Sequence, residues 1–121
     1  MKILRTDKRL IDEGYRYKIE GDLISDEEID LMDLDQPLYV TGSINANGSI
    51  KSCGSIWAGE SIKSGLYISA GESIKAGEDI KAGEYIYSGW YIKAGKFIKA
   101  SEYIMASGSI DAGWGIKAGK F

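Results

Sequence analysis

The chain has 121 residues, of which 44% are hydrophobic and 27% are charged, so it is long enough for one folded domain and too apolar for complete disorder. Its 15 basic and 18 acidic residues give a net charge of -3, which argues neither for nor against a nucleic-acid partner. The absence of histidine removes the commonest general base and the commonest metal ligand.

Localisation is indicated by three features of the sequence. No apolar run approaches the ~20 residues that a membrane-spanning helix needs. Residues 1–5 lack the apolar stretch of a signal peptide. The single cysteine, Cys53, cannot form an internal disulfide, which favours a reducing compartment. We therefore expect a cytoplasmic protein that does not associate with membranes.

Residues 1–37 differ from the rest of the chain and are predicted to form an acidic N-terminal cap. They carry 11 acidic and six basic residues. Residues 18–24 are predicted to be a strand, and Ser25-Asp26-Glu27-Glu28 fits a capping box that begins a short helix ending before Pro37. This α/β cap is expected to shield the end of the structure that follows it. An acidic docking surface is the alternative interpretation.

From residue 38 to residue 121 the chain follows a strict six-residue repeat. Two residues after each repeated isoleucine there is alanine or serine, and the next position is usually glycine, so the unit reads Ile-Lys-Ala-Gly-x-x. Leu38 occupies the same phase one repeat earlier. The repeated isoleucines are Ile44, Ile50, Ile56, Ile62, Ile68, Ile74, Ile80, Ile86, Ile92, Ile98, Ile104, Ile110 and Ile116.

This period excludes an α-helix, whose apolar stripe repeats at 3.6 residues. Within each unit the isoleucine and the small residue stand two apart and therefore point to one face of a strand, while the lysine points away. Three such hexapeptides per coil predict an all-β, single-stranded parallel β-helix with a triangular coil. Residues 38–121 would form between four and five coils, about 20–25 Å long at the usual strand spacing.

The tandem Ile-Lys-Ala-Gly hexads, which follow Gly21-Asp22-Leu23, resemble those of small bacterial and phage hexapeptide-repeat proteins, and more distantly the solenoids of bactofilins. Left-handed hexapeptide acyltransferases place the small residue two before the aliphatic one, and glycine directly after it. This chain places the small residue two after and glycine third, a departure that favours a right-handed helix. The likeness covers about two thirds of the chain and implies the fold, while solenoids host many functions.

Folding the sequence at 18 residues per coil aligns two outward columns. The aromatic column and its neighbours would form an apolar patch suited to a protein partner, although stacked aromatics also stabilise sheets without any partner. The predicted protein interface contains Tyr67, Tyr85, Tyr87, Trp90, Tyr103, Met105 and Phe121. A lysine column is either a solvated face compensated by Glu60, Glu78, Glu84 and Glu102, or a strip that binds an anionic partner. It contains Lys63, Lys81, Lys99 and Lys117.

No catalytic, cofactor-binding or metal-binding residues are predicted. A phosphate loop, a Gly-x-Ser-x-Gly elbow and a cluster of metal ligands are all missing from the sequence. Nucleic-acid binders are usually more basic than this chain, so nucleic acid is not the expected partner.

Two function classes remain from the sequence. The first is a non-catalytic protein-binding protein, with a phage or mobile-element inhibitor of a host defence complex (an anti-CRISPR protein) as its concrete version. The second is a self-assembling, bactofilin-like scaffold. Because the repeat continues to Phe121, we also expect a homodimer formed through the last coil or through the aromatic face.

Overall fold

The computed structural model describes residues 1–119, and these residues form short strands joined by tight corners. From β2 onward, successive strands of the chain belong to successive sheets, so three parallel sheets run along the molecule. The chain is therefore an all-β parallel solenoid of about six coils, and its three sheets fit a triangular coil. This architecture confirms the fold class predicted from the hexads.

The strands are named in chain order and grouped by sheet. Sheet A contains β4 (Ile29–Leu31), β7 (Ile50–Ser52), β10 (Ile68–Ala70), β13 (Ile86–Ser88) and β16 (Ile104–Ala106). Sheet B contains β1 (Ile11–Asp12), β2 (Tyr17–Ile19), β5 (Leu38–Val40), β8 (Ile56–Ala58), β11 (Ile74–Ala76), β14 (Ile92–Ala94) and β17 (Ile110–Ala112). Sheet C contains β3 (Leu23–Ser25), β6 (Ile44–Ala46), β9 (Ile62–Ser64), β12 (Ile80–Ala82), β15 (Phe97–Ala100) and β18 (Gly115–Ala118).

Neighbouring coils are aligned in the predicted 18-residue register. Ile68 pairs with Ile86, and Ile86 pairs with Ile104, so residues of one repeat position form a ladder. The first coil is longer, because Tyr17 pairs with Leu38 and Leu23 pairs with Ile44, an offset of 21 residues. The three additional residues lie in the corner between β4 and β5.

The core is a column of isoleucines with small side chains beside it. Every repeated isoleucine from Ile44 to Ile98 is 0% exposed. The serines that replace alanine in this interior keep their hydroxyls bonded: Ser64 Oγ lies 2.7 Å from the carbonyl oxygen of Gly48, and Ser88 Oγ donates to that of Glu72. Among the described residues, no buried side-chain nitrogen or oxygen lacks a partner. The interior of the described coils is therefore apolar, and its buried polar side-chain atoms are hydrogen-bonded.

Glycine at the third position after most of the isoleucines allows the coils to stack closely. A Cβ on Gly77 would lie 2.1 Å from the carbonyl oxygen of Gly59 in the preceding coil. Within residues 1–119, positive φ angles occur at Gly14 and Gly21, neither of which belongs to the repeat. The repeat therefore uses glycine for close approach of two backbones, rather than for a left-handed turn.

The helix predicted after Ser25 is wrong, because none of the described residues forms a helix. Ser25 Oγ accepts the N–H of Glu27 at 3.1 Å, but this bond closes a corner, and the chain continues into β4. Ile29 and Leu31 are both fully buried, a period of two that suits a strand, and β4 pairs in parallel with β7. Pairing with the next coil overrides the local capping signal.

The N-terminal residues cover the first coil. The predicted strand over residues 18–24 is observed as two strands, β2 and β3, which are separated by Gly21. Strand β1 pairs antiparallel with the outer edge of β2, and Ile3, which is fully buried, donates its N–H to Asp30 in β4. Strands on both sides of the predicted boundary between residues 37 and 38 belong to the same sheets. That division and the right-handed winding stay predictions.

Candidate interaction surfaces

Three tyrosines form a face-to-face stack beside sheet A. The rings of Tyr67 and Tyr85 are 4.9 Å apart between centroids and 3° from parallel. The rings of Tyr85 and Tyr103 are 5.3 Å apart at 11°. Burial of Tyr85 in the middle of this stack raises the pKa of its phenol, and the neighbouring tyrosines and glutamates add to the effect. The three tyrosines of the predicted aromatic column are thus stacked in the structure.

Apolar side chains next to the stack extend it into a larger surface. Tyr87 and Met105 are paired on adjacent strands and are 40% and 50% exposed. Leu66, at the corner before β10, is also exposed; the sequence analysis missed it because Gly48 and two glutamates occupy the same repeat position. We call this surface the tyrosine face; it consists of Leu66, Tyr67, Tyr85, Tyr87, Tyr103 and Met105.

The other two residues of the predicted interface have different positions. Trp90 lies at the corner after β13, is 61% exposed, and makes an edge-to-face contact with Tyr91 at 5.1 Å. It therefore stands at the border between sheets A and B. Phe121 lies outside the described residues, so its prediction stays open.

The four predicted lysines are in register on the outer surface of sheet C. Lys63, Lys81, Lys99 and Lys117 pair successively across β9, β12, β15 and β18. Lys99 Nζ lies 4.6 Å from the centroid of the Phe97 ring. Lys81, Lys99 and Lys117 line a groove of about 460 Å³ together with Ser101 and Gly119.

Within residues 1–119, none of the four lysines of this column has a carboxylate within 4.0 Å, whereas Glu78 pairs with Lys96 at 3.7 Å. Compensation of the column by glutamates at longer range stays a prediction. Glu84 and Glu102 directly precede Tyr85 and Tyr103 of the tyrosine stack, and their charges help to raise the pKa of the Tyr85 phenol. The lysine column therefore presents positive charge that is not paired at contact distance.

A recess on sheet B was missed by the sequence analysis. It has a volume of about 390 Å³ and is lined by Arg16, Tyr39, Trp57, Lys75 and Tyr91, together with Gly59 and Gly77. Tyr39, Trp57 and Lys75 follow one another at 18-residue spacing on β5, β8 and β11. The same folding of the sequence that aligned the lysines could have found this column, but its mixed composition hid it.

Membrane-spanning helices and clusters of metal ligands are absent from the described residues. No helix in residues 1–119 is long and apolar enough to cross a membrane. In the same residues there is no group of three or more cysteine, aspartate and glutamate side chains that could hold a metal ion. No protein-family model, curated protein or solved structure matches this chain.

Proposed function

We propose that this chain is a non-catalytic binding protein that contacts another protein through the tyrosine face. The observation that carries the proposal is the exposure of Tyr87 and Met105 directly beside a stack of parallel tyrosines. Tyrosine and methionine are enriched at protein interfaces, and stacked rings on a rigid sheet lose little conformational entropy when a partner binds.

The shape of the surface supports a protein partner. Tyr87 and Met105 lie on the paired strands β13 and β16. The other residues lie in the corners before β10, β13 and β16, and the ladders between these strands hold neighbouring coils in register. Glu84 and Glu102 lie near its edge, which gives an apolar centre a polar border. An apolar centre with a polar rim is the usual anatomy of a protein interface.

The concrete version of this function is inhibition of a host defence complex by a phage or mobile-element protein of the anti-CRISPR type. It is supported by the resemblance of the Ile-Lys-Ala-Gly hexads to those of small phage proteins and by the length of 121 residues. Such an inhibitor acts by occupying a surface of its target, which requires no catalytic group. The free, exposed Cys53 suits the cytoplasmic location that this role needs.

The double variant Tyr87→Ser, Met105→Ser tests the tyrosine face. We expect it to bind the partner at least about tenfold more weakly, because two exposed anchors are lost while the tyrosine stack stays intact. Tagged wild-type and variant chains would be incubated with lysate of a host carrying a CRISPR system, and each captured protein would be quantified by mass spectrometry.

Trp114→Ser is the matched control, because Trp114 is 65% exposed but lies at the corner between sheets B and C. A partner retained by Trp114→Ser and lost by the double variant supports the proposal. Equal retention by all three chains would rule the tyrosine face out as the binding surface. Inhibition of the purified defence complex by the wild-type chain, and loss of this inhibition in the double variant, would support a function of the anti-CRISPR type.

Self-assembly as a scaffold is a second candidate, and the last described coil favours it. Strands β16, β17 and β18 are the outermost strands of their sheets, and Ile116 is 50% exposed although its repeat position is fully buried in the interior coils. A second copy that stacks on this coil would continue the ladders and cover the isoleucines. A contact that stops at two copies gives a dimer joined end to end, whereas a scaffold requires assemblies that continue to grow with protein concentration.

We expect Ile116→Lys to shift this chain toward monomer, because it places a charge where the second copy would pack. Sedimentation velocity over a range of protein concentrations measures the change. Ile24→Lys is the control, since Ile24 is exposed on sheet C in the first coil. A wild-type chain that stays monomeric at every concentration would eliminate the scaffold.

A further inference from the structure

The recess on sheet B has the size and the walls of a small-molecule site. Its volume of about 390 Å³ lies within the range of about 300–1,000 Å³ that is usual for ligand pockets. Three aromatic side chains, those of Tyr39, Trp57 and Tyr91, line it. The recess is on a different sheet from the tyrosine face, so its role does not depend on the function proposed above.

A hydrogen bond and a cation–π contact hold two of the aromatic side chains, those of Trp57 and Tyr39, in place. The indole Nε1–H of Trp57 donates to Ser73 Oγ at 3.3 Å, and Ser73 is itself hydrogen-bonded to Ser55 at 2.8 Å. The guanidinium of Arg16 lies 4.4 Å from the centroid of the Tyr39 ring. A ligand would therefore meet rings that are already oriented, which lowers the entropy lost on binding.

Two of the residues that line the recess, Gly59 and Gly77, stand where close stacking of the coils favours glycine. A Cβ on Gly59 would lie 2.2 Å from the carbonyl oxygen of Thr41, and a Cβ on Gly77 would lie 2.1 Å from that of Gly59. Coil stacking therefore disfavours a side chain at both positions. A flat ligand can approach the backbone here without displacing any side chain.

One positive charge in the recess is free to bind a ligand. Within residues 1–119, Lys75 has no carboxylate within 4.0 Å, and its side chain is exposed. The guanidinium of Arg16 is already bound to Glu13 at 2.7 Å, an interaction that raises the pKa of Arg16. Glu78, which follows Gly77, pairs with Lys96. Lys75 is thus the cation left for an anionic group.

From this arrangement we propose that the recess binds a planar aromatic ring that carries an anionic group, with a nucleotide's base and phosphate as the chemical class. The base stacks on the aromatic walls, and the phosphate accepts a charge-assisted hydrogen bond from Lys75. A ring without the anion leaves Lys75 unused, and an anion without the ring leaves the aromatic walls in contact with water. The ligand is either a free mononucleotide or a nucleotide within a single strand.

The experiment uses Trp57 as its own reporter. In the Trp90→Phe, Trp114→Phe background, Trp57 supplies the single indole N–H resonance, which would be followed by NMR during titration with adenosine or uridine 5′-monophosphate. We expect a saturable shift with a nucleotide, a weaker affinity for the matching nucleoside by about tenfold, and no shift with inorganic phosphate alone.

Lys75→Gln separates the ring contribution from the charge contribution. We expect it to lower the nucleotide affinity to that of the nucleoside and to leave nucleoside binding unchanged, while Lys63→Gln on sheet C changes neither. A short single-stranded oligonucleotide that binds more tightly than the mononucleotide assigns the polymer as the source, and equal affinity assigns the free nucleotide. The proposal is overturned if neither nucleotide shifts the Trp57 resonance at about 10 mM, or if Lys63→Gln weakens binding as much as Lys75→Gln.

Discussion

Ile80→Ala is expected to lower the free energy of unfolding by about 2–5 kcal/mol. Ile80 is 0% exposed in the middle of the isoleucine column, and it pairs with Ile62 in one neighbouring coil and Ile98 in the other. Removal of its three outer carbons leaves a cavity that two rigid coils cannot collapse to fill. Urea unfolding followed by circular dichroism measures the loss.

Ile116→Ala is the matched control for this prediction. It is the same substitution at the same repeat position of sheet C, but Ile116 is 50% exposed in the last described coil. We expect a loss below about 1 kcal/mol, because much of the deleted surface is already in contact with water. Equal losses in the two variants would contradict the buried isoleucine column. Because a solenoid can unfold in steps, the free energies of unfolding of the two variants are compared over the complete transition of the circular dichroism signal.

The repeating part of the fold could be predicted because one rule governs every coil. With an isoleucine at each sixth residue and a small side chain two places later, both side chains of every repeat face the core when the strands form parallel sheets. Three strands per coil then give the 18-residue register between neighbouring coils. Each repeat confirms its neighbours, so a local exception such as Asn47 or Cys53 does not disturb the prediction.

The first coil could not be predicted in the same way because its spacing is irregular. The six residues between β4 and β5 break the 18-residue period, so Leu23 and Ile29 cannot be aligned with Ile44 and Ile50 from the sequence alone. The capping box predicted at Ser25 corresponds to a local hydrogen bond from the N–H of Glu27 to Ser25 Oγ, but no helix begins there. The tertiary ladder decides the conformation of this segment.

The tyrosine and lysine columns could be predicted from the repeat, whereas the recess on sheet B could not. Columns of one residue type, such as Tyr67 with Tyr85 or Lys81 with Lys99, are visible once the coil length is known. The recess on sheet B depends on side-chain orientation: Trp57 leans toward Ser73 through its indole hydrogen bond. Sequence periodicity assigns a residue to a face, but it does not determine its rotamer.

Gly83→Ala is expected to lower the free energy of unfolding by about 1–3 kcal/mol, although alanine is the smallest possible addition. The new Cβ would lie 2.1 Å from the carbonyl oxygen of Gly65, an atom fixed in the backbone of the preceding coil. The coils must therefore separate or the corner must deform. Urea unfolding followed by circular dichroism would measure this effect.

Ser101 shows that a corner can accommodate a Cβ. It occupies the glycine position one coil after Gly83, and its backbone nitrogen lies 3.3 Å from the carbonyl oxygen of Ala82, beside 2.9–3.2 Å for the corresponding bonds of the glycines. The hydrogen bond is therefore kept at nearly its usual length. Gly83 has coils stacked on both sides, so we expect its replacement to perturb the bonds to both neighbouring coils.

Gly54→Ala is the control for this substitution, because a Cβ on Gly54 meets its nearest atom, Glu72 Oε1, at an ordinary 3.5 Å. We expect its free energy of unfolding to stay within about 0.5 kcal/mol of wild type. If Gly83→Ala proves as stable as Gly54→Ala, the corner can move far enough to relieve the 2.1 Å contact between the new Cβ and the carbonyl oxygen at little cost. In that case the glycines of the repeat would need an explanation other than the close approach of stacked coils.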